Sequence, residues 1–290
     1  MGRYDTLVVM MLPLAHLGPP SFLPVPGGRL AYRDVGPRTG GPPVVLLHGG
    51  GMDGRMWARQ VAAVSGRYRV IVPDVRGHGG SSTPEGPFRP HEDLAALLEH
   101  LDAAPAVLVG LSMGGRVAVD TALARPDLVD RVVVSGVGIG PPDFRDPWTL
   151  GVFAEWARAQ QELDADGWVE AFLRFVPGPH RSEVDVDPLV MDEARLMVVD
   201  VLTHHLPDDV TAAGPPVEFL EGAADRAAEF PAPLLGIVGE LDGDDHRREV
   251  ADAVAAVPDG RLVTIPGTAH YPNMERPSEF TDAVLTFLAR

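Results

Sequence analysis

The 290-residue chain contains no cysteine and no lysine. Without cysteine it can form no disulfide, no thiol nucleophile and no cysteine-ligated metal site. All 24 basic residues are therefore arginine. Together with many Ala, Pro and Asp, that usage reads as the codon bias of a GC-rich genome rather than as function. Long apolar runs are missing too. Leu7-Val8-Val9-Met10-Met11-Leu12 is cut short by Pro13, far below the roughly 20 residues of a membrane helix. As a secretory signal it is poor, because Asp5 sits in the n-region and no A-x-A site follows. The expectation is a loose N-terminal arm over residues 1–21, or a true start at Met10 or Met11, and a cytoplasmic protein. The net charge of −17 argues against nucleic acid and anionic membrane surfaces as partners.

What is present is enough for a full core. The length allows two domains or one α/β domain with an insertion. Two β-type runs, Phe22 to Val25 and Arg29 to Val35, flank Pro26-Gly27-Gly28 and read as a hairpin. Apolar strands follow at Val44 to Leu47, Arg69 to Val72, Ala106 to Val109 and Arg131 to Ser135. Helical patterns separate them, as at His91 to Leu101, where Leu94, Leu97, Leu98 and Leu101 keep helical spacing. This alternation implies a mostly parallel sheet covered on both faces, with the hairpin at one edge. From about Gly138 to Phe230 the strand rhythm stops, and helical segments carry Trp148, Phe153, Trp156, Trp168, Phe172 and Phe175. Strand and helix alternate again from Leu234 to the end. The organisation expected is a core of residues 22–138 and 231–290, with a helical cap, 139–230, inserted after the sixth strand.

The chain is organised around Val107 to Arg116, where an apolar run enters Gly110-x-Ser112-x-Gly114 and a small-residue helix pattern follows. Strand, sharp turn and helix are the setting of a nucleophile elbow. A serine is a poor nucleophile at neutral pH and needs a base within hydrogen-bond reach. Open α/β sheets gather functional groups beyond the strands' carboxyl ends, and His270 follows the last strand there. His48 and His78 sit in loops after earlier strands and read as structural. His91, His100, His180, His204, His205 and His246 fall on helices or cap loops. The adjacent pair His204 and His205 points two ways on a helix and does not chelate. A carboxylate should hold the other imidazole nitrogen. Asp242 in Gly239-Glu240-Leu241-Asp242 is the candidate, while Asp244 and Asp245 suit the start of the next helix. An oxyanion would be met by the Met113 N–H and by one from His48-Gly49-Gly50-Gly51, that of Gly50, with Gly51 as the runner-up. The phosphate-loop alternative for these glycines lacks its lysine.

These residues carry a resemblance. His48-Gly49-Gly50, Asp74-x-Arg76-Gly77-x-Gly79-x-Ser81, Gly110-x-Ser112-x-Gly114-Gly115, Gly239-x-x-Asp242 and Gly267-x-x-His270 with Glu275-Arg276-Pro277 resemble the α/β-hydrolase superfamily, in its capped single-domain branch. Asp53 to Trp57 and the His270 loop look most like enol-lactonase and carboxylesterase members. The order Ser112, Asp242, His270 is the family's chain order. The resemblance implies a serine hydrolase with Ser112 as nucleophile, His270 as base and Asp242 as orienting acid, acting on a small, mostly apolar ester or lactone. Non-hydrolytic lyases or cyclases and ligand receptors on the same fold remain the alternatives. No metal and no organic cofactor is expected, the partner is a small-molecule substrate, and the oligomeric state stays open. Gly51, Trp148, Trp156 and Tyr271 are the candidate substrate contacts.

Overall fold

A computed structural model describes residues 14–39, 41–205 and 217–290. The apolar stretch Leu7 to Leu12 lies outside them. The chain lays down an eight-stranded sheet: β1 (Ser21–Val25), β2 (Gly28–Val35), β3 (Val44–Leu47), β4 (Val70–Pro73), β5 (Ala106–Leu111), β6 (Val129–Ser135), β7 (Leu234–Gly239) and β8 (Gly260–Ile265). Their spatial order is β1-β2-β4-β3-β5-β6-β7-β8. β1 and β2 pair antiparallel, and β2 pairs antiparallel with β4. All other neighbours are parallel. The expected hairpin is thus an antiparallel edge on a parallel sheet.

The apolar runs become central strands because both their faces are covered. β3, β4, β5 and β7 are buried along their whole length. Alternate residues serve opposite faces. Val44, Leu46, Val107 and Val109 pack with Trp57, Phe280 and Val284. Val45, Leu47, Ala106 and Leu108 pack with Leu94, Leu97, Val117 and Val250. The first face is covered by α1 (Ala58–Val64) and, from the chain's end, by the helix Pro277–Leu288; the second is covered by α2 (Pro90–His100), α3 (Met113–Ala124) and the helix Asp244–Ala256. The N-terminal arm is not loose throughout. Leu17, in the helical turn Ala15–Leu17, is 2% exposed and belongs to the first cluster. Leu14 packs against the same cluster, and the sequence shows no periodicity there.

Between β6 and β7 come α4 (Pro147–Glu162), α5 (Ala165–Leu173) and α6 (Pro188–His205). Asp146 caps α4, its carboxylate accepting the Trp148 and Thr149 N–H groups, and Asp164 accepts the Gly167 N–H at the start of α5. Then follow α7 (Asp244–Ala256), the single turn α8 (Pro272–Glu275) and α9 (Pro277–Leu288).

The topology fixes where a site can form. From β3 the chain steps outward to β4, whereas from β5 it steps the other way through β6, β7 and β8. A crevice opens beyond the carboxyl ends of strands at such a reversal. Leu47 pairs with Gly110, and Leu111 with Ser135. The His48 loop, Ser112 and Gly136 therefore leave the sheet side by side.

Candidate active site

Ser112 follows β5 with φ +50° and ψ −118°. A positive φ is strained for a side-chain-bearing residue. Two features hold it: the Ser112 N–H donates to the Ser135 carbonyl at 2.7 Å, and α3 starts at the next residue. Gly114 makes the turn possible, since a Cβ there would lie 2.2 Å from the Leu47 carbonyl oxygen. Met113 is the first residue of α3, where a helix leaves its amide N–H groups without intrahelical partners.

His270 and Asp242 come from the loops after β8 and β7. The His270 Nδ1–H donates to Asp242 Oδ2 at 2.9 Å. A carboxylate can only accept, so the neutral ring keeps its Nε2 bare. Asp242 is 2% exposed and His270 4%. Burial pushes the Asp242 carboxyl up, but His270, His246 and the Gly243 N–H at 2.7 Å together hold it below the usual carboxylate range. The two loops are stitched to each other: the Leu241 N–H donates to the Thr268 carbonyl at 2.8 Å. The Ala269 N–H donates to Glu275 Oε1 at 2.8 Å. Gly136, with φ +67°, leaves room for the imidazole; a Cβ there would sit 2.5 Å from His270 Cε1.

Ser112, His270, Gly50 and Met113 all line one cavity of about 320 Å³. Its walls are mostly apolar and aromatic, including Phe144, Phe153, Phe172 and Phe175, with Arg116 and Glu249 as the charged members. Phe175 roofs the imidazoles, with ring centroids 5.6 Å from His270 and 5.7 Å from His246. Of the four expected substrate contacts, Trp156 and Tyr271 line the cavity. Burial and Asp242 push the Tyr271 hydroxyl far up, so it stays a neutral phenol. Gly51 and Trp148 do not line the cavity. The Gly51 N–H is taken by His78 Nε2 at 3.1 Å, and Phe172 packs where a Gly51 side chain would go. Of Gly50 and its runner-up Gly51, only Gly50 lines the cavity. Trp148 packs edge-on to Phe175 at 5.8 Å and stands behind the lining.

The remaining histidines divide clearly. His48 Nε2 accepts the Val75 N–H at 2.9 Å, and its Nδ1 lies 2.8 Å from the Gly49 carbonyl, so it holds loop backbone. Burial, with His48 close by, lowers His78 to about 3, keeping it neutral as the acceptor of Gly51. His204 and His205 separate: the first contacts the Asp200 carbonyl, the second the Gly79 carbonyl. Asp245 does not cap α7, whose N-cap is Gly243. Its Oδ2 instead accepts the Arg145 and Asp146 N–H groups at 2.6 and 2.5 Å, and so fastens the entry to α4.

Sequence reasoning left His246 among the helix histidines. It lines the cavity, 4% exposed, with its ring 4.4 Å from His270 and Nδ1 3.6 Å from Asp242 Oδ1. The signal was its position four residues after Asp242 at a helix start, where side chains fall on one face. Asp242, His246 and His270 present ligand atoms within 4.8 Å of one another. That donor set could suit a transition ion, although two of its members already share a hydrogen bond.

Comparison with known proteins bears on the family and the fold. The sequence pattern of the alpha/beta hydrolase family matches residues 44–283. The chain is 32% identical over 260 residues to a pimeloyl-[acyl-carrier protein] methyl ester esterase of Pectobacterium atrosepticum, covering 86% of this chain and 95% of the relative. A crystal structure of a hydrolase from Pseudomonas aeruginosa superposes with a TM-score of 0.76 at 30% identity, over 94% of this chain and 99% of that one. The enol-lactonase from Burkholderia xenovorans gives a TM-score of 0.72 at 28% identity, over 93% and 100%. Among the described residues no helix is long and apolar enough to cross a membrane. The chain belongs to the alpha/beta hydrolase family and is a hydrolytic enzyme.

Proposed function

We propose that the protein is a serine hydrolase that cleaves a small, mostly apolar carboxylic ester or lactone through an acyl-enzyme. The observation that carries this reading is the buried Asp242–His270 hydrogen bond at 2.9 Å, whose imidazole shares one mostly apolar cavity with a positive-φ serine. His270 Nε2 takes the proton as Ser112 Oγ attacks the carbonyl carbon. Asp242 keeps Nδ1 protonated and stabilises the imidazolium that forms. The N–H groups of Gly50 and Met113 meet the tetrahedral oxyanion. Collapse expels the alcohol, protonated by His270, and leaves an ester on Ser112. Water, deprotonated by His270, then releases the acid.

In this reading residues 139–230 act as a cap that sets the substrate. The cavity volume suits a small molecule, and its aromatic walls favour an apolar acyl or alcohol group. The names of the relatives, a methyl ester esterase and an enol-lactonase, support the same two substrate classes. The insertion carries nineteen Asp and Glu against six Arg, which disfavours a negatively charged macromolecule as the carrier of the ester. The test is labelling by a fluorophosphonate, together with a panel of esters and lactones of graded chain length. We expect labelling and turnover in the wild type and neither in Ser112→Ala. Turnover without labelling of Ser112 would overturn the reading.

A further inference from the structure

The Asp242–His270 pair has a third member that the reaction scheme does not use. His246, in the first turn of α7, is 4% exposed, and its Nδ1 has no hydrogen-bond partner among the described residues. That nitrogen faces Asp242 Oδ1 at 3.6 Å, just too far for a hydrogen bond. Phe144 and Phe175 stand 5.4 and 5.7 Å away, centroid to centroid, and hold the ring from the insertion side. Asp242, His270, Asp245 and, from the start of α4, Asp146 are the titratable groups whose charge acts on it most. Burial outweighs the acidic neighbours and lowers His246 to about 4, so the ring is neutral where a serine hydrolase works.

A neutral ring has two tautomers, and the setting selects between them. With the proton on Nε2, the Nδ1 lone pair would point at the Asp242 carboxylate and repel it. With the proton on Nδ1, an N–H points at Oδ1. The carboxylate then has a donor on each side. His270 donates to Oδ2 and the Gly243 N–H to Oδ1, and the second imidazole stands across Oδ1. A rotation of the carboxylate that loosened its bond to His270 would have to move against this second ring.

We propose that His246 is a positioning residue for the pair: a neutral imidazole, protonated on Nδ1, that backs Asp242 and keeps Oδ2 directed at His270. This inference rests on the reading of Ser112, Asp242 and His270 as the reacting set. It has an electrostatic consequence with a definite sign. The positive end of the His246 N–H dipole faces Asp242 and so works slightly against a proton on His270. Removing it leaves the carboxylate more strongly negative toward His270, and the acid limb of the pH–rate profile moves to higher pH.

Three variants separate positioning from simple packing. In His246→Asn the amide N–H occupies nearly the place of the imidazole Nδ1–H. In His246→Phe the ring volume stays but the donor is gone. In His246→Gln the donor is one bond further out. The measurement is kcat and KM for a cleaved ester from pH 5 to 9, with thermal melting beside it. We expect the Phe variant to lose about 10- to 100-fold in kcat, the scale of a misplaced catalytic group, with KM changed less than about threefold. Its acid limb should move up by about half a pH unit or more. The Asn variant should stay within about threefold of wild type, with its limb unmoved. If the Phe variant does not fold, the Gln variant must show the same loss and the same upward movement. A Phe variant with wild-type kcat and profile and an Asn variant that is the worse of the two would mean that His246 only fills space, and would overturn the proposal. So would wild-type profiles in all three. Undiminished turnover in Ser112→Ala would instead overturn the reading on which the proposal rests.

Discussion

The sheet core and the β6–β7 insertion meet at one cavity and contribute to it in different ways. The core supplies Gly50, Ser112 and His270, with Asp242 behind His270, each from a loop that leaves the carboxyl end of a strand. Backbone hydrogen bonds set these positions, as with the Ser112 N–H on Ser135 and the Leu241 N–H on Thr268. The insertion supplies ring faces. Trp156 stands 4.9 Å from Trp168 and 5.5 Å from Phe172, and Phe153 lies 5.6 Å from Phe175. Their positions depend on packing, which tolerates a change of shape at a cost of about 1–3 kcal/mol. Charge divides the same way. Residues 139–230 carry thirteen of the seventeen net negative charges. The difference teaches where to look for chemistry and where to look for substrate choice. Substitutions in the core loops should strike kcat, and substitutions on the insertion's rings should strike KM.

The largest expected effect breaks the core side outright. Ser112→Ala should lower kcat by about 10⁶-fold, the scale of a lost serine nucleophile in a triad. The melting temperature should stay the same or rise slightly, because the strained φ of +50° at residue 112 suits alanine no worse than serine. Next comes Asp242→Asn, expected to cost about 10⁴-fold in kcat by presenting the wrong tautomer to His270. Asp244→Asn and Asp245→Asn should cost less than about tenfold in kcat. For Asp245 the loss should appear in melting temperature, because its Oδ2 accepts the Arg145 and Asp146 N–H groups. Collapse of kcat in a neighbour but not in Asp242→Asn would move the acid along the loop.

Acid should weaken the junction between the two regions. The folded protein holds His246 at about 4, below its ordinary 6.5. The unfolded chain therefore takes up that proton first, and stability must rise with pH across the interval. The contribution is complete above about pH 6.5 and is lost as pH falls toward 4, on the order of 3 kcal/mol at most. Melting curves from pH 7 to 4 should fall more steeply for wild type than for His246→Asn. Equal slopes would show that His246 titrates normally.

The insertion side gives smaller numbers. Trp156 lines the cavity and Trp148 does not, so Trp156→Ala should raise KM about tenfold for an apolar ester and change the ranking of a chain-length series. Trp148→Phe should leave both unchanged. Ranking that follows Trp148 instead would place the substrate on the other side of Phe175.

These contrasts also explain what could be read from the sequence. The core was legible because strands buried on both faces appear as unbroken apolar runs, and β3, β4, β5 and β7 are of that kind. Gly114 and Ser112 were legible because a turn too tight for side chains demands that spacing. Val129 at the start of β6 was not seen, since boundaries carry no periodic signal of their own. Gly243 has a φ of −53°, which any residue can adopt. Its reason is closeness: a Cβ there would come within 3.0 Å of Thr149 Oγ1 and 3.1 Å of Trp148. Trp148 and Trp156 looked alike for the same cause. Helical spacing gives the face of a residue on its own helix, but only the packing of α4 against α5 decides which ring meets the cavity.

The smallest effect asks how firmly the two regions are joined. Arg59 of α1 reaches across to α6 and grips Glu193 with two hydrogen bonds, 2.6 and 3.0 Å long. Arg55, just before α1, shares Asp53 and Asp200, with the Asp200 contact at 2.6 Å. Both pairs are partly exposed, so solvent and salt screen them. The fork geometry of Arg59 favours the upper end of the range for such pairs. A double-mutant cycle of Arg59→Gln and Glu193→Gln should give a coupling of about 0.5–1 kcal/mol at low salt, shrinking as salt is added. Neither residue lines the cavity, so kcat and KM should stay within about twofold. A larger change in KM than in melting temperature would show that α6 moves during substrate entry, with Arg59 and Glu193 as its latch. The sharp division between a chemical core and a shaping insertion would then have to include motion as well as form.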